Sequence, residues 1–292
     1  MKILPHDKSF GRGLWSDVPM SDYLAVTSMS SSQLRTFMKS PLTYRRAVEG
    51  ISEDSPTKAQ SLGTRIHSAV LEDRFNYTIK PAVYGPEMKK WNANATECKA
   101  WLQDHPNAVS VADDKKIRAA ALYVADHPKA GPLLRGGVSE VSAFNNGYRA
   151  RFDMIKIYLE DTAVVVDLKT CDDASEKAFA RSLFHWGYHV QAAWYRRILK
   201  DLGFREVNFY FIALQTGLPL VNVFRMSAKA MDLADKQTND ALLMLKRCED
   251  TAHWPEWPDY DGTETIKEID IPTYCYGEGE IEIEMGGETV TV

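Results

Sequence analysis

Cysteine is scarce in this chain and never clustered: Cys98, Cys171, Cys248 and Cys275 lie far apart and form no C-x-x-C pair. A zinc or iron–sulfur site needs grouped thiolates, so neither is indicated, and four cysteines in 292 residues do not make a disulfide framework. They read as ordinary thiols. Long apolar runs are also missing. The longest, Ala163 to Val166 and Phe209 to Leu214, have the length of buried strands and fall far short of the roughly 20 residues of a membrane helix. Met1 to Asp7 lacks the apolar stretch of a secretory signal, so a cytoplasmic protein without membrane association is expected. There is no G-x-x-x-x-G-K-[ST], so ATP is not implied, and no G-x-S-x-G elbow. Gly11-Arg12-Gly13 lacks the third glycine of a dinucleotide fingerprint. His185 and His189 have the spacing of a zinc pair, but Trp186-Gly187-Tyr188 stands where a catalytic Glu would be needed.

What is present is ordinary globular material, 45% hydrophobic and 26% charged. The net charge of −5 looks unfavourable for a nucleic-acid partner, because affinity for DNA rests on cations at phosphates. Its distribution removes the objection. Glu249 to Val292 holds 13 acids and one base, Lys267, whereas the preceding 248 residues hold 27 acids and 34 bases. A mildly basic body thus carries an acidic tail. Lys177 to Lys200 contains Lys177, Arg181, Arg196, Arg197 and Lys200 with no acid, which is either a solvated helix face or a basic surface beside a site.

Residues 1–27 show weak periodicity and read as an extended arm. Ser30 caps a helix that ends at Ser40-Pro41, and Leu42 to Val48 begins another. Ile51 to Thr57 reads as a loop, and Ala59 to Phe75 as a helix with Leu62, Ile66, Val70 and Leu71 on one stripe and His67 beside it. Residues 85–135 suggest further helices. Val138 to Phe144, Tyr148 to Tyr158 and Ala163 to Leu168 are strand-like, the first two joined by the turn composition Asn145-Asn146-Gly147. Ser175 to Leu202 is helical with a break near Gly187; strands follow at Val207 to Leu214 and Leu220 to Arg225, then a helix from Ser227 to Cys248. This order predicts an α/β domain with a central mixed sheet flanked by helices. The alternation from Glu280 to Met285 suits either an acidic edge strand or an unpacked tail.

Asp167 and Lys169 project to one face of a strand, and Asp153 lies 14 residues earlier on the strand before it. Two carboxylates buried together repel, and a divalent cation with a preference for oxygen, Mg²⁺ or Mn²⁺, relieves the repulsion. A neighbouring lysine suits water activation or stabilisation of charge on a phosphorus centre. Alone, a D-x-K tripeptide is most often a surface ion pair, a helix histidine a hydrogen-bonded one, and Gln191 with Tyr195 a packing pair.

The ordered series Gly63-Thr64-Arg65-Ile66-His67, Arg149-Ala150-Arg151-Phe152-Asp153, Val166-Asp167-Leu168-Lys169-Thr170 and Gln191-Ala192-Ala193-Trp194-Tyr195 resembles the motifs of the PD-(D/E)xK nucleases, in particular the RecB-like exonucleases. Ser30 to Pro41, Gly63 to Glu72 and Trp254-Pro255-Glu256-Trp257-Pro258 resemble the RecE (exonuclease VIII) type of phages and prophages. The resemblance implies a restriction-endonuclease-like α/β core over residues 30–258, after an arm at 1–29 and before an acidic tail at 259–292. It implies that His67, Asp153, Asp167 and the Leu168 carbonyl hold the metal and that Lys169 activates or positions water, with Glu140 a second-tier catalytic acid. Gln191, Tyr195, Arg151 and Arg65 are the implied substrate contacts. The implied activity is Mg²⁺-dependent exonuclease action on double-stranded DNA ends, 5′ to 3′, leaving 3′ single strands for recombination with a RecT-like annealing protein. A homo-oligomeric ring is implied, a tetramer among the sizes it allows. The core motifs leave open a single-strand exonuclease, an endonuclease, or a non-catalytic module that binds DNA ends.

Overall fold

The computed structural model describes residues 2–7, 11–51, 58–159 and 161–258, with the strand backbones at 282–285 and 288–291. Two units separate, Met1–Pro258 and Asp259–Val292. The first begins with β1 (Ile3–Pro5), β2 (Gly13–Ser16), α1 (Met20–Ala25), α2 (Ser31–Lys39), α3 (Pro41–Val48) and α4 (Lys58–Glu72). A short ribbon of β3 (Val83–Tyr84) and β4 (Lys89–Lys90) precedes α5 (Thr96–Asp104), α6 (Val111–Asp126) and α7 (Ala130–Leu134). Then come β5 (Val138–Asn145), β6 (Tyr148–Tyr158), β7 (Thr162–Cys171), α8 (Glu176–His185), α9 (Tyr188–Asp201), β8 (Glu206–Gln215), β9 (Leu220–Arg225) and α10 (Ala228–Thr251). The described residues of the second unit form an antiparallel hairpin of β10 (Glu282–Met285) and β11 (Glu288–Thr291). Residues 280 and 281 of the acidic alternation, like most of the 51–57 loop, lie outside the described residues.

Seven strands form one mixed sheet in the order β1-β2-β5-β6-β7-β8-β9. Strands β5, β6 and β7 are an antiparallel meander. The first turn places Asn146 at φ 46° and Gly147 at φ 82°, the pair of left-handed residues that a two-residue hairpin with matching twist requires. Strands β7 and β8 run parallel, which demands a crossover, and α8 and α9 supply it. Gly187, at φ 66°, makes the corner between these helices. The segment read from sequence as an extended arm instead supplies two strands and a helix. Strand β2 pairs with β5 because Leu14 is fully buried and Trp15 nearly so, a gain an arm in solvent would forgo.

Two apolar cores occupy the two faces of the sheet. On one, Val165, Phe211 and Ala213 meet Trp194 and Ile198 of α9 and Ala241 and Leu245 of α10. On the other, Val166, Leu168, Ile212 and Leu214 meet Ile66 and Ala69 of α4 and Ile117 of α6. Strands β7 and β8 are covered on both sides, which is why their sequence is an unbroken apolar run. Trp194, fully buried, also donates its indole N–H to the Arg149 carbonyl at 3.0 Å and so ties α9 to β6.

Strand β6 departs from strict alternation. Ala150, Phe152 and Ile155 enter the α9-side core, whereas Met154 enters the α4-side core, so the pattern slips by one residue between Phe152 and Ile155. The β5–β6 ladder pairs Ser139 with Met154 and Val141 with Phe152, passing over Glu140 and Asp153. Glu140 itself has φ 53°, a left-handed conformation strained for a side-chain-bearing residue. Here one rung is left unpaired, one residue from each strand, and the register is the same on both sides of it.

Candidate active site

The β6–β7 ladder runs from Tyr158↔Thr162 to Met154↔Val166 and stops there. In the same register Asp153 would face Asp167. The strands part at that point, and Asp153 fills the vacated position with its side chain: Oδ2 accepts the Leu168 N–H at 2.8 Å. Helix α4 comes close to this opening because residue 63 is glycine. A Cβ there would lie 3.0 Å from Thr170 Oγ1 on β7, tighter than ordinary van der Waals contact. One turn later His67 Nδ1 lies 3.6 Å from Asp153 Oδ2. The G-x-x-x-H spacing is therefore a packing device: glycine admits the helix and histidine reaches the strand gap.

Asp167 is completely buried and bound from two sides. Lys169 Nζ is 2.5 Å from Oδ2, and Gln191 Nε2 donates to Oδ1 at 2.8 Å. Gln191 Nε2 also lies 3.1 Å from Tyr195 Oη, whose hydroxyl donates to the Arg151 carbonyl at 2.7 Å. Both side chains project from one face of α9, as an i, i+4 pair must. Gln191 Oε1 is buried with no hydrogen-bond partner among the described residues. Sequence reasoning missed Tyr188, whose ring centroid lies 4.7 Å from Lys169 Nζ as a cation–π contact. Its place three residues before Gln191, on the same helical face, was the available signal.

The electrostatics match a crowded anionic site. Burial, and then the charge of Asp167, push the Asp153 carboxyl well above its ordinary range; Glu140 adds to this, while Lys169 and the Leu168 N–H oppose it. Burial pulls the Lys169 ammonium down, but Asp167 and Asp153 together outweigh it and its pKa ends raised, so it stays cationic at neutral pH. Burial, reinforced by Lys169, lowers His67 to about 4. At neutral pH its imidazole is neutral, and its contact with Asp153 is not an ion pair. Tyr195 is pushed well above its ordinary range by burial and then by Asp167 and Asp153, so it remains a hydroxyl donor.

The remaining sequence-nominated residues lie at the margin. Arg151 is committed: Nε donates to Glu140 Oε2 at 2.6 Å and Nη1 to the Val18 carbonyl at 2.9 Å. Glu140 thus sits beside the cluster, acting on Asp153 by charge. Arg65 is not brought to it. Two residues before His67, about 200° around the helix, its guanidinium bonds the Ser61 and Asn107 carbonyls. In the basic run, Arg196 pairs with Asp235 and Arg197 bonds Asn239 at 2.6 Å, so these cations face α10 and not the cluster.

Among the described residues no three His, Cys, Asp or Glu side chains converge as a ready-made cation cage. The donor set nevertheless suits a hard divalent ion. Asp153 and Asp167 crowd each other, His67 presents a neutral nitrogen, and Gln191 Oε1 has unused acceptor capacity. A cation here would relieve the repulsion that raises Asp153.

Residues 30–260 match the model of a family described as a PDDEXK-like domain of unknown function (DUF3799). No protein of curated function matches the sequence. Among solved structures, the chain is similar to a Eubacterium rectale protein provisionally described as an exonuclease. The TM-score is 0.58 at 14% identity, covering 90% of this chain and 99% of that one. A structure described as SSO0001 aligns with TM-score 0.37 at 12% identity over 82% of this chain and 93% of that one, too weak a likeness to carry an argument. The mixed sheet flanked by helices fits a restriction-endonuclease-like fold, and family and fold together support a nuclease. Among the described residues, no helix is long and apolar enough to cross a membrane.

Proposed function

Because this chain belongs to the PDDEXK-like family DUF3799, we propose that it is a divalent-metal-dependent deoxyribonuclease acting on the ends of double-stranded DNA. The observation that carries the reading is the parted rung: a buried and a partly buried carboxylate on facing strands, with Lys169 on one and the neutral His67 near the other. His67, Asp153, Asp167 and the Leu168 carbonyl would hold Mg²⁺, with Mn²⁺ as a substitute. When bound, the cation supplies Lewis-acid stabilisation of negative charge on the phosphoryl oxygens.

The residues themselves divide the remaining work. Lys169 is a cation in this setting, so it serves to orient the attacking water and to stabilise the charge that develops in the transition state; proton abstraction is left to another group. Gln191 holds Asp167 and keeps its free Oε1 toward water or substrate. Tyr195 braces Gln191 against β6, and Tyr188 holds the Lys169 ammonium by its ring face. A 5′ to 3′ direction, 3′ single-stranded products passed to a RecT-like annealing protein in recombination, and a homo-oligomeric ring complete the proposal; they rest on the motif resemblance.

Digestion of end-labelled linear duplex with Mg²⁺, with closed circular duplex alongside, tests it. Wild type should degrade the linear form only, and Lys169→Ala should be slower by about 10²- to 10³-fold, the cost of removing one charge-stabilising donor. Full activity in Lys169→Ala would sink the mechanism. Cleavage of the circle would make the protein an endonuclease, and binding without cleavage by the wild type would make it an end-binding module.

A further inference from the structure

Helices α9 and α10 enclose a cleft of about 430 Å³ on the side of α9 opposite Gln191 and Tyr195. Ala193, Arg197 and Lys200 line it, and at about 100° per residue they stand roughly 180° to 240° around the helix from Gln191. Three cations, Arg196, Arg197 and Lys200, face a single lining carboxylate, Asp235, which pairs with Arg196. Asp232, one turn earlier on α10, also acts on Arg196. Lys200 is held by the Arg205 carbonyl, which gives it a fixed place without neutralising its charge.

Two donors in this cleft have no partner among the described residues. Arg197 spends one edge of its guanidinium on Asn239, through Nη1 at 2.6 Å, while its Nε is buried and unbonded. Thr238, only 2% exposed, lines the cleft with its hydroxyl equally unbonded. A buried donor without an acceptor costs about 1–3 kcal/mol, so two together mark a place where an acceptor belongs. The free edge of a guanidinium, Nε with the second terminal nitrogen, is the fork that matches two oxygens of an oxyanion. The volume exceeds what a bare phosphate needs and falls in the range of small-ligand pockets, roughly 300–1,000 Å³.

We propose that this α9–α10 cleft is a binding site for a phosphate group, separate from the catalytic cluster and independent of the nuclease reading. Arg197 would grip the phosphate through its Nε edge, Thr238 would donate its hydroxyl, and Arg196 and Lys200 would supply the field. A mononucleotide, a backbone phosphate of a DNA strand and free phosphate all present this chemistry.

The test is calorimetric titration of the full chain, in chelator and without metal, with inorganic phosphate. Saturable binding should weaken at least about tenfold in Arg197→Ala, the loss of a charge-assisted bidentate contact, and severalfold in Thr238→Val. Thr238→Ser, which keeps the hydroxyl, should bind as wild type, and so should Lys169→Ala, whose change lies in the other site. Thr238→Val keeps the side-chain shape and serves should Arg197→Ala not fold. Competition by deoxyadenosine monophosphate or by a short oligonucleotide then tells which source of phosphate the cleft prefers. Absence of saturable binding, binding that survives Arg197→Ala or Thr238→Val unchanged, or binding lost in Lys169→Ala would overturn the proposal.

Discussion

Replacing Asp153 by Asn should stabilise the protein while destroying its proposed activity. The amide retains an oxygen to accept the Leu168 N–H, so the hydrogen bond at 2.8 Å survives. What disappears is a charge that burial and Asp167 both disfavour. Two like unit charges at close range repel by up to about 4 kcal/mol at an effective dielectric of about 20. Lys169 attracts both carboxylates and cancels much of this, leaving a gain of about 1–2 kcal/mol. At about 2 °C per kcal/mol for a domain of this size, the melting temperature should rise by about 2 to 4 °C at pH 7. The folded-state pKa of Asp153 is raised above the ordinary 3.8, so its ionisation weakens the fold at high pH and the penalty vanishes once pH falls below the unfolded value. The gain should therefore shrink toward zero as pH approaches 3.8. Mg²⁺ at about a hundred times its dissociation constant should raise wild-type stability by about 2.7 kcal/mol and leave the variant nearly unchanged. Differential scanning calorimetry at several pH values, with and without Mg²⁺, reads all of this. A variant that melts lower than wild type at pH 7, or gains equally from Mg²⁺, would refute the argument that the two carboxylates repel and share a cation.

Three further outcomes follow from the same geometry. His67, lowered from 6.5 to about 4, contributes stability that is intact above pH 6.5 and lost as pH falls through about 4. The loss approaches about 3 kcal/mol, opposite in sign to the relief at Asp153, and acid melting curves of His67→Gln should lack it. Gln191→Leu removes the donor to Asp167 Oδ1 and should cost about 1–3 kcal/mol in chemical denaturation; no loss would mean that the bond is not formed. Glu140→Gly relieves the left-handed backbone, at about 1 kcal/mol, and removes a charge that raises Asp153. Against this stands the loss of the Arg151 ion pair, so the net gain should be small, and it should grow when Glu140→Gly is made in an Arg151→Ala background, where no pair is left to lose.

Much of the fold can be read in the sequence because its elements carry local signals. Ser30 accepts from the Gln33 backbone in a full capping box, Ser175 and Ser227 cap their helices, and Asn146-Gly147 turns the hairpin. The buried runs of β7 and β8 name themselves by being apolar on both faces. The edge strands do not. Strands β1 and β2 have only three and four residues, too few to show alternation; β2 takes its place from β5, more than 120 residues away, and β1 in turn pairs with β2. At the cluster, strand alternation puts Asp167 with Lys169, and helical spacing puts Gln191 with Tyr195. That these two pairs meet is a tertiary fact, set by the α8–α9 crossover. Charge alone could not say whether Arg196 and Arg197 turn toward the cluster, because only the packing of α10 on α9 decides which face of the helix is covered.

The unpaired rung has a further meaning when the ladder is read without it. With Glu140 and Asp153 left out, Ser139↔Met154 would be followed directly by Val141↔Phe152, and Phe152, Met154 and Ile155 would alternate regularly between the two cores. The pair behaves as an insertion of one residue per strand into an otherwise regular hairpin, and both inserted residues are acids. In the proposed reading, the acids of this rung take no place from an apolar side chain of either core. A variant with a matched one-residue deletion in each strand should keep the ladder on both sides of this rung and lose the Asp153 carboxylate, so the length of the hairpin, and not its packing, carries the proposed site.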